Sequence, residues 1–482
     1  MTSLPEPIAV SRPVHEGFTY GADFTTTREW DSTATAAEKL TPGPVDVGTR
    51  FAVTCAAPVG SIKLVYEVTR LETDRGITLR GSSRFFTIED RITFTPTGTG
   101  TRIDYRAEFF FPSILKRLAK TFESGLQRMG RRSMEGLRQA LEDDYPPPEE
   151  GVASRIADRM VLPGLARFTR LGYLQGRRTW HPMSAYIGNR HIVITGASAG
   201  LGYASAMELA RRGARMTLVM RDPAKAERVV EAITTETGNT RLHVELADLS
   251  LLTEVDDLVR RLQQRGDAID VLINNAGALF NTRGETAEGI EQSLALLLLS
   301  PHRLTEGLKS LLDKAEQPRV VNVVSGGMYS QKLDLPALLG EKEERYSGPV
   351  AYARAKRALM VVTEDWAQAW KDDGVVVNAM HPGWADTPGV QSALPGFRSL
   401  TRHVLRTPEQ GADTIVWLAA ATEAGKMSGR LFLDRQPHTT HMLRSTRETG
   451  ASREALLDYL AAVNAGRVYD NTGSRKALAA SR

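Results

Sequence analysis

The sequence predicts two folded parts: an α+β part whose antiparallel strands are closed by one long helix, then a doubly wound α/β domain. Three observations carry this reading. Turn residues recur at intervals of about ten between Val47 and Phe111, with apolar residues alternating between them. A long apolar stripe at helical spacing follows from Pro112. From His191 onward, short apolar strands alternate with amphipathic helices, the pattern of a parallel sheet covered on both faces.

Composition narrows the function classes. The chain has 482 residues, 41% hydrophobic and 24% charged, ordinary for a folded protein of two or three domains. Lys+Arg (61) nearly balance Asp+Glu (57), so no nucleic-acid partner is expected at a net charge of +4. One cysteine, Cys55, excludes an intrachain disulfide framework and points to a reducing compartment. The opening MTSLPEPIAVSRP does not read as a secretory signal, and the apolar run Leu294–Leu299 is too short for a bilayer span. A cytoplasmic location is the expectation.

In the first part, Ile62, Leu64, Tyr66 and Val68 alternate with Lys63, Val65, Glu67 and Thr69. Asp74-Arg75-Gly76 reads as a hairpin turn. Ile92 and Phe94 precede a second turn at Pro96–Gly100, and Ile103, Tyr105, Ala107 and Phe109 follow it. The helical stripe is Leu115, Leu118, Phe122, Leu126, Met129, Leu137 and Leu141, with Gly125, Gly130 and Gly136 allowing close approach or weakening the helix. Asp143–Glu150, with prolines at 146–148, reads as a stiff linker. With Phe24 and Trp30-Asp31 near its start, residues 1–144 resemble the polyketide cyclase/START-like (SRPBCC) superfamily. That resemblance implies a helix-grip fold holding an apolar ligand between sheet and helix. No acid–base pair stands out here, so binding is expected rather than catalysis.

Residues 145–188 are read as the linker and a basic amphipathic segment. Seven arginines face one acid, Asp158, across 151–190, and Leu165, Phe168, Leu171 and Leu174 recur every third position. Such a segment can lie on an anionic membrane surface, but Pro163-Gly164 and Gly172 interrupt it. Docking onto its own domain is the stronger expectation.

Residues 189–450 form the α/β domain. The strand His191–Ile194 runs into Thr195-Gly196-Ala197-Ser198-Ala199-Gly200-Leu201-Gly202, then a helix. Glycines there free the backbone for a tight turn and for close approach of a diphosphate to a helix N-terminus. A second strand ends in Met220-Arg221-Asp222, Asp248-Leu249 follows a third, and Asn274-Asn275-Ala276-Gly277 follows a fourth. Asp248 also fits an N-cap for a helix starting near Leu251. Ser325 ends the strand Val320–Val324, Tyr352 and Lys356 stand at i and i+4, and His381-Pro382-Gly383 leads to Thr387.

In this order the motifs resemble the short-chain dehydrogenase/reductase family. The resemblance implies a Rossmann fold and an NADP(H) site formed by Gly196, Ser198, Gly200, Leu201, Gly202, Arg221, Asp248, Leu249, Asn275, Ala276, Gly277, Tyr352, Lys356, Pro382, Gly383 and Thr387. It implies Ser325, Tyr352 and Lys356 as catalytic residues. Arg221, where NAD-specific members carry a carboxylate, suits a 2′-phosphate. A neighbouring Lys356 ammonium is expected to favour the Tyr352 phenolate. Leu297 stands where the family usually has a catalytic asparagine. His438 and His441 are expected at the surface and not as a metal pair. Residues 451–482 read as a helix and a polar tail. The expected function is an NADP(H)-dependent oxidoreductase acting on a small apolar or lipid-like substrate. The alternative, favoured by Leu297, is a non-catalytic lipid-binding or scaffold protein whose reductase domain only binds nucleotide.

Overall fold

The computed structural model describes all residues except 1–6, 32, 57–60, 85, 112–115, 143–144, 150–165, 182, 184–186, 343–344, 470–474 and 478–482. The chain divides into two units, one made of residues 1–146 with 181–187 and 233–239, the other of the remainder.

The first unit is built on seven strands: β1 (Ile8–Val10), β2 (Ala34–Lys39), β3 (Arg50–Ala56), β4 (Ser61–Glu72), β5 (Gly76–Ser82), β6 (Thr87–Thr97) and β7 (Gly100–Phe110). They pair antiparallel in the order β1-β7-β6-β5-β4-β3-β2. Both hairpins fall where the turn residues put them, with Asp74 left-handed at φ 60° between β4 and β5. The alternation holds too: Leu64, Tyr66 and Val68 face a core shared with Ile92, Phe94 and Ile103. Helix α1 (Val14–Ala22) and strands β1 and β2, ahead of Val47, were not legible as elements.

Helix α2 (Lys116–Glu142) closes this core with Met134, Leu137, Ala140 and Leu141. Of the stripe, Leu115, Leu118, Phe122 and Leu126 lie outside the described side chains, as does Gly125. Gly136 is there for close approach: a side-chain carbon on it would stand 2.1 Å from the Trp30 carbonyl oxygen. An antiparallel sheet gripped by one long helix is the arrangement that the sequence predicts.

The second unit carries an eight-stranded sheet: β8 (His191–Thr195), β9 (Arg215–Met220), β10 (Leu242–Leu246), β11 (Val271–Asn274), β12 (Arg319–Val323), β13 (Val376–Met380), β14 (Leu431–Leu433) and β15 (Gln436–His438). The order is β10-β9-β8-β11-β12-β13-β14-β15, parallel except for the final hairpin. Strands β8, β11 and β12 are buried at every position, as their largely apolar runs lead one to expect, with Arg319, Asn274 and Asn322 buried among them. Strand order reverses between β8 and β11, and their C-terminal ends frame the crevice where such sheets bind ligands. Among the described residues, no helix is long and apolar enough to cross a membrane.

Ahead of β8, helix α3 (Arg170–Gly176) belongs to this unit, but not through the expected stripe. Phe168 and Tyr173 are buried, whereas Leu171 is 70% and Leu174 40% exposed; Leu165 lies outside the described residues. At the C-terminus, α4 (Gly450–Asn464) starts on a Thr449–Ser452 capping box.

Candidate active site

The glycine turn after β8 is shaped by its neighbours. Gly196 is left-handed at φ 70°, and a side-chain carbon there would lie 2.8 Å from the Ala276 Cα. One on Gly202 would lie 2.2 Å from the Gly196 carbonyl oxygen. Asn275 fixes the facing strand end, its Nδ2 donating to Thr195 O at 2.9 Å, while its backbone N–H donates to Thr195 Oγ1 at 3.0 Å. Asn274 binds the sheet itself, donating to Asn322 Oδ1 at 2.8 Å and Thr305 Oγ1 at 2.9 Å. Thr387 stands across the turn, 3.4 Å from the point where Gly200 would carry a side chain. Half-buried Ser198 and Leu201 complete the turn. These bare amides at a helix start fit the diphosphate of a dinucleotide.

Arg221 follows β9 with its side chain 76% exposed, 3.7 Å from Asp248 Oδ2. The neighbouring Asp222 is committed elsewhere: its carboxylate accepts from the Lys225 N–H, and that bond holds its pKa below the usual carboxylate range. A cation is thus left at the strand end, which fits a 2′-phosphate. Asp248 corrects one expectation, since it is not a helix N-cap. It closes a turn on the Ser250 N–H at 2.9 Å, and the helix starting at Leu252 is capped by Glu288, which accepts from the Leu252 and Thr253 N–H groups.

The reacting groups meet at the ends of β11 and β12. Tyr352 and Lys356 share a face of the helix Gly348–Ala369, with Lys356 Nζ 5.9 Å from the phenol ring centre. Ser325 sits beside Tyr352 and accepts from the Gly327 N–H at 3.2 Å. Burial pushes the Tyr352 phenol up to about 12, against the Ser325 hydrogen bond, and brings the Lys356 ammonium down to about 7. The lysine donates to Val323 O at 2.6 Å. The phenolate expected from a close ammonium is therefore not favoured by this geometry, in which burial outweighs the Ser325 hydrogen bond.

Leu297, fully buried, lies within a single π-turn at Ala295–Leu299. Its Cδ2 and Lys356 Nζ lie 3.1 and 3.9 Å from the point where Gly277 would carry a side chain. The apolar residue thus borders the lysine. Behind it, a void of about 10 Å³ is lined by Lys356, Asn274, Ser300 and Leu249, room for about one water. Asn274 Oδ1, buried nearby, has no hydrogen-bond partner among the described residues.

Sequence reasoning missed what holds the mouth of the site. The Phe168 ring stacks on Tyr329 at 6.3 Å and meets His381 edge-on at 4.6 Å. A side-chain carbon on Gly326 would stand 2.7 Å from it. Arg406, 1% exposed, pairs with Asp434 at 2.5 Å and donates to Phe168 O at 3.0 Å. Gly383, at φ 69°, packs under both, and Trp384 donates its N–H to Phe168 O. Pro382 precedes it at the end of β13. Arg357, fully buried beside Lys356, donates to the Met328 and Thr440 carbonyls and so braces the Ser325 turn. His441 corrects another expectation: it is not a surface residue but lies 2.6 Å from Glu448, which falls to about 2 despite burial. Among the described residues, no group of three His, Cys, Asp or Glu side chains is placed to hold a metal.

A glycine turn at the switch point of a doubly wound sheet, with serine, tyrosine and lysine beside it, defines a nucleotide-dependent oxidoreductase site. Residues 190–396 match the family model for short chain dehydrogenase, and residues 1–142 that for polyketide cyclase / dehydrase and lipid transport. The chain belongs to the short-chain dehydrogenase/reductase family of oxidoreductases. It is similar to dehydrogenase/reductase SDR family member 12 of Homo sapiens, 39% identical over 301 residues that cover 62% of this chain and 94% of that one. Retinol dehydrogenase 11 of Homo sapiens is 34% identical over 250 residues, 50% of this chain and 76% of that one. Among solved structures, L-sorbose reductase from Gluconobacter frateurii, complexed with NADPH and L-sorbose, is 22% identical and covers 53% of this chain and 98% of that one at a TM-score of 0.44.

Proposed function

We propose that residues 189–450 interconvert a carbonyl and an alcohol on an apolar substrate with NADP(H), and that residues 1–144 bind an apolar ligand. The observation that carries the reading is the meeting of Ser325, Tyr352 and Lys356 beside the glycine turn. Exposed Arg221 would hold the 2′-phosphate, and the amides at the start of the helix from Gly200 the diphosphate. The cofactor, when bound, supplies or receives the hydride. In the reducing direction Ser325 donates a hydrogen bond to the substrate oxygen and Tyr352 delivers its proton there. Burial suits this role, because a phenol at about 12 keeps its proton throughout the neutral range. Lys356 replaces that proton from water held in the void beside Asn274 and Ser300. Phe168, Tyr329, Trp384 and Leu297 give the surroundings an apolar wall, which supports an apolar substrate.

Leu297 favours a second reading, in which nucleotide binds without turnover. NADPH oxidation with a panel of apolar ketones and aldehydes separates the two. Wild type is expected to be slow, Leu297→Asn equal or faster by up to about a hundredfold, and Tyr352→Phe inactive with NADPH still bound. If wild type and Tyr352→Phe turn over alike across the panel, the oxidoreductase reading gives way to the binding protein.

A further inference from the structure

The reductase chemistry does not account for the basic segment ahead of β8, where seven arginines stand against one acid over residues 151–190. One side of α3 is anchored. Phe168 and Tyr173 are buried, the Tyr173 ring meets Trp180 edge-on at 5.2 Å, and the Arg406 guanidinium lies 5.7 Å from the Tyr173 ring centre. The other side is left to solvent. Leu171, at 70%, is the most exposed large apolar side chain among the described residues, and Leu174, one turn on, is 40% exposed. Arg170, Gln175 and Arg178, exposed as well, flank the two leucines. No acid pairs with Arg170 or Arg178 among the described residues. The Arg170 backbone N–H donates to Val404 O at 2.8 Å, which brings exposed Arg402 and His403 to the same end of the helix. The result is an apolar centre among guanidinium groups. It stands beside the mouth of the active site, since Phe168, two residues before α3, is held there through its carbonyl by Arg406 and Trp384.

We propose that this face of α3 docks the protein on an anionic lipid surface. Leu171 and Leu174 enter the boundary between headgroups and acyl chains, while Arg170, Arg178 and Arg402 meet phosphate oxygens. Charge selects this partner. A guanidinium binds phosphate through paired N–H donors, and each cation adds attraction to an anionic leaflet. The exposed residues of this face include no carboxylate for the cations of a protein partner. Docking sets the mouth of the site beside the lipid, so that an apolar substrate enters without first crossing water. That last consequence rests on the reading of an apolar substrate; the docking itself does not.

Sedimentation of the full-length protein with vesicles tests it, phosphatidylcholine alone against phosphatidylcholine and phosphatidylglycerol at about two to one. Wild type is expected to bind the anionic vesicles at least about tenfold tighter than the neutral ones, and to release them at about 1 M salt. Leu171→Ser with Leu174→Ser should weaken binding about tenfold or more. Arg170→Gln with Arg178→Gln should remove most of the preference for anionic lipid. All four side chains are exposed, so both double variants should melt as wild type does and bind NADPH as tightly, which verifies their folding. Absence of binding to anionic vesicles, equal binding to both kinds, or binding unchanged in either double variant overturns the proposal. So does a leucine-dependent dimer that binds no vesicle, which makes this face a contact between copies of the chain. Binding that both double variants lose supports the proposal whether or not the protein reduces any carbonyl, so the docking and the oxidoreductase reading fail separately.

Discussion

Lys356 and Asp90 are buried side chains whose surroundings decide their charge, in opposite senses for function. Lys356, at about 7, is an ammonium below that pH and an amine above it. kcat/KM for carbonyl reduction is therefore expected to fall as pH rises through about 7, a profile that steady-state rates across buffers will check. Asp90 bears on stability. Its folded pKa, about 7, exceeds the ordinary 3.8, so below 3.8 both folded and unfolded chains hold the proton and ionisation costs nothing. Between the two values the unfolded chain ionises first, and stability falls as pH rises. Asp90→Asn should thus melt above wild type at about pH 8, with the gap closing near pH 4. The signal for Asp90 was in the sequence: Ile88, Asp90, Ile92 and Phe94 share one strand face, so the alternation that buries the isoleucines buries the carboxylate with them. No local pattern, by contrast, announces that Arg406 and Asp434 will meet.

At the scale of elements, strands and hairpins were legible because period-two alternation and turn residues are local properties. The segment around α3 was not, because its burial is decided by distant partners. Gly172, where a side-chain carbon would stand 2.2 Å from the Arg167 carbonyl oxygen, lets the chain fold back, and the helix turns Leu171 and Leu174 outward. Trp180 instead docks, donating to Asp434 O at 2.9 Å under the Arg435 guanidinium. Arg406→Met would leave Asp434 buried without its ion-pair partner, an expected loss of about 3–5 kcal/mol in urea unfolding. Arg406→Met with Asp434→Leu should recover most of it, which measures the uncompensated charge rather than lost packing. The helix starting at Leu252 makes the same point, since Asp248 was the local candidate for its cap and Glu288 holds the position.

For the whole molecule, the reductase motifs were readable in order because each is a short string placed at a strand end, where the parallel sheet collects them. Their electrostatics were not, since burial of Tyr352 and Lys356 depends on everything packed around the helix. NADPH is expected to bind at least about tenfold tighter than NADH, and Arg221→Ala should erase the preference; fluorescence titration with both cofactors checks it. A protein beginning at residue 147 should bind NADPH, whereas one beginning at 189 lacks Phe168 and leaves Arg406 without three of its carbonyl partners. The second should bind NADPH more weakly and melt earlier, in the same titration and a thermal scan.

The strap at Phe168 also sets a schedule. Its carbonyl waits for Arg406, 238 residues later in the chain, before the mouth of the site can close. At roughly 5–20 residues per second, a ribosome needs about 10–50 s to supply that partner. Through most of that interval the Phe168 ring lacks its partners, since Tyr329 and His381 are themselves made late, while the strands from β8 to β13 emerge in turn. Synthesis order thus makes the site one of the last parts of this unit to be completed, although its glycine turn is among the first to be made.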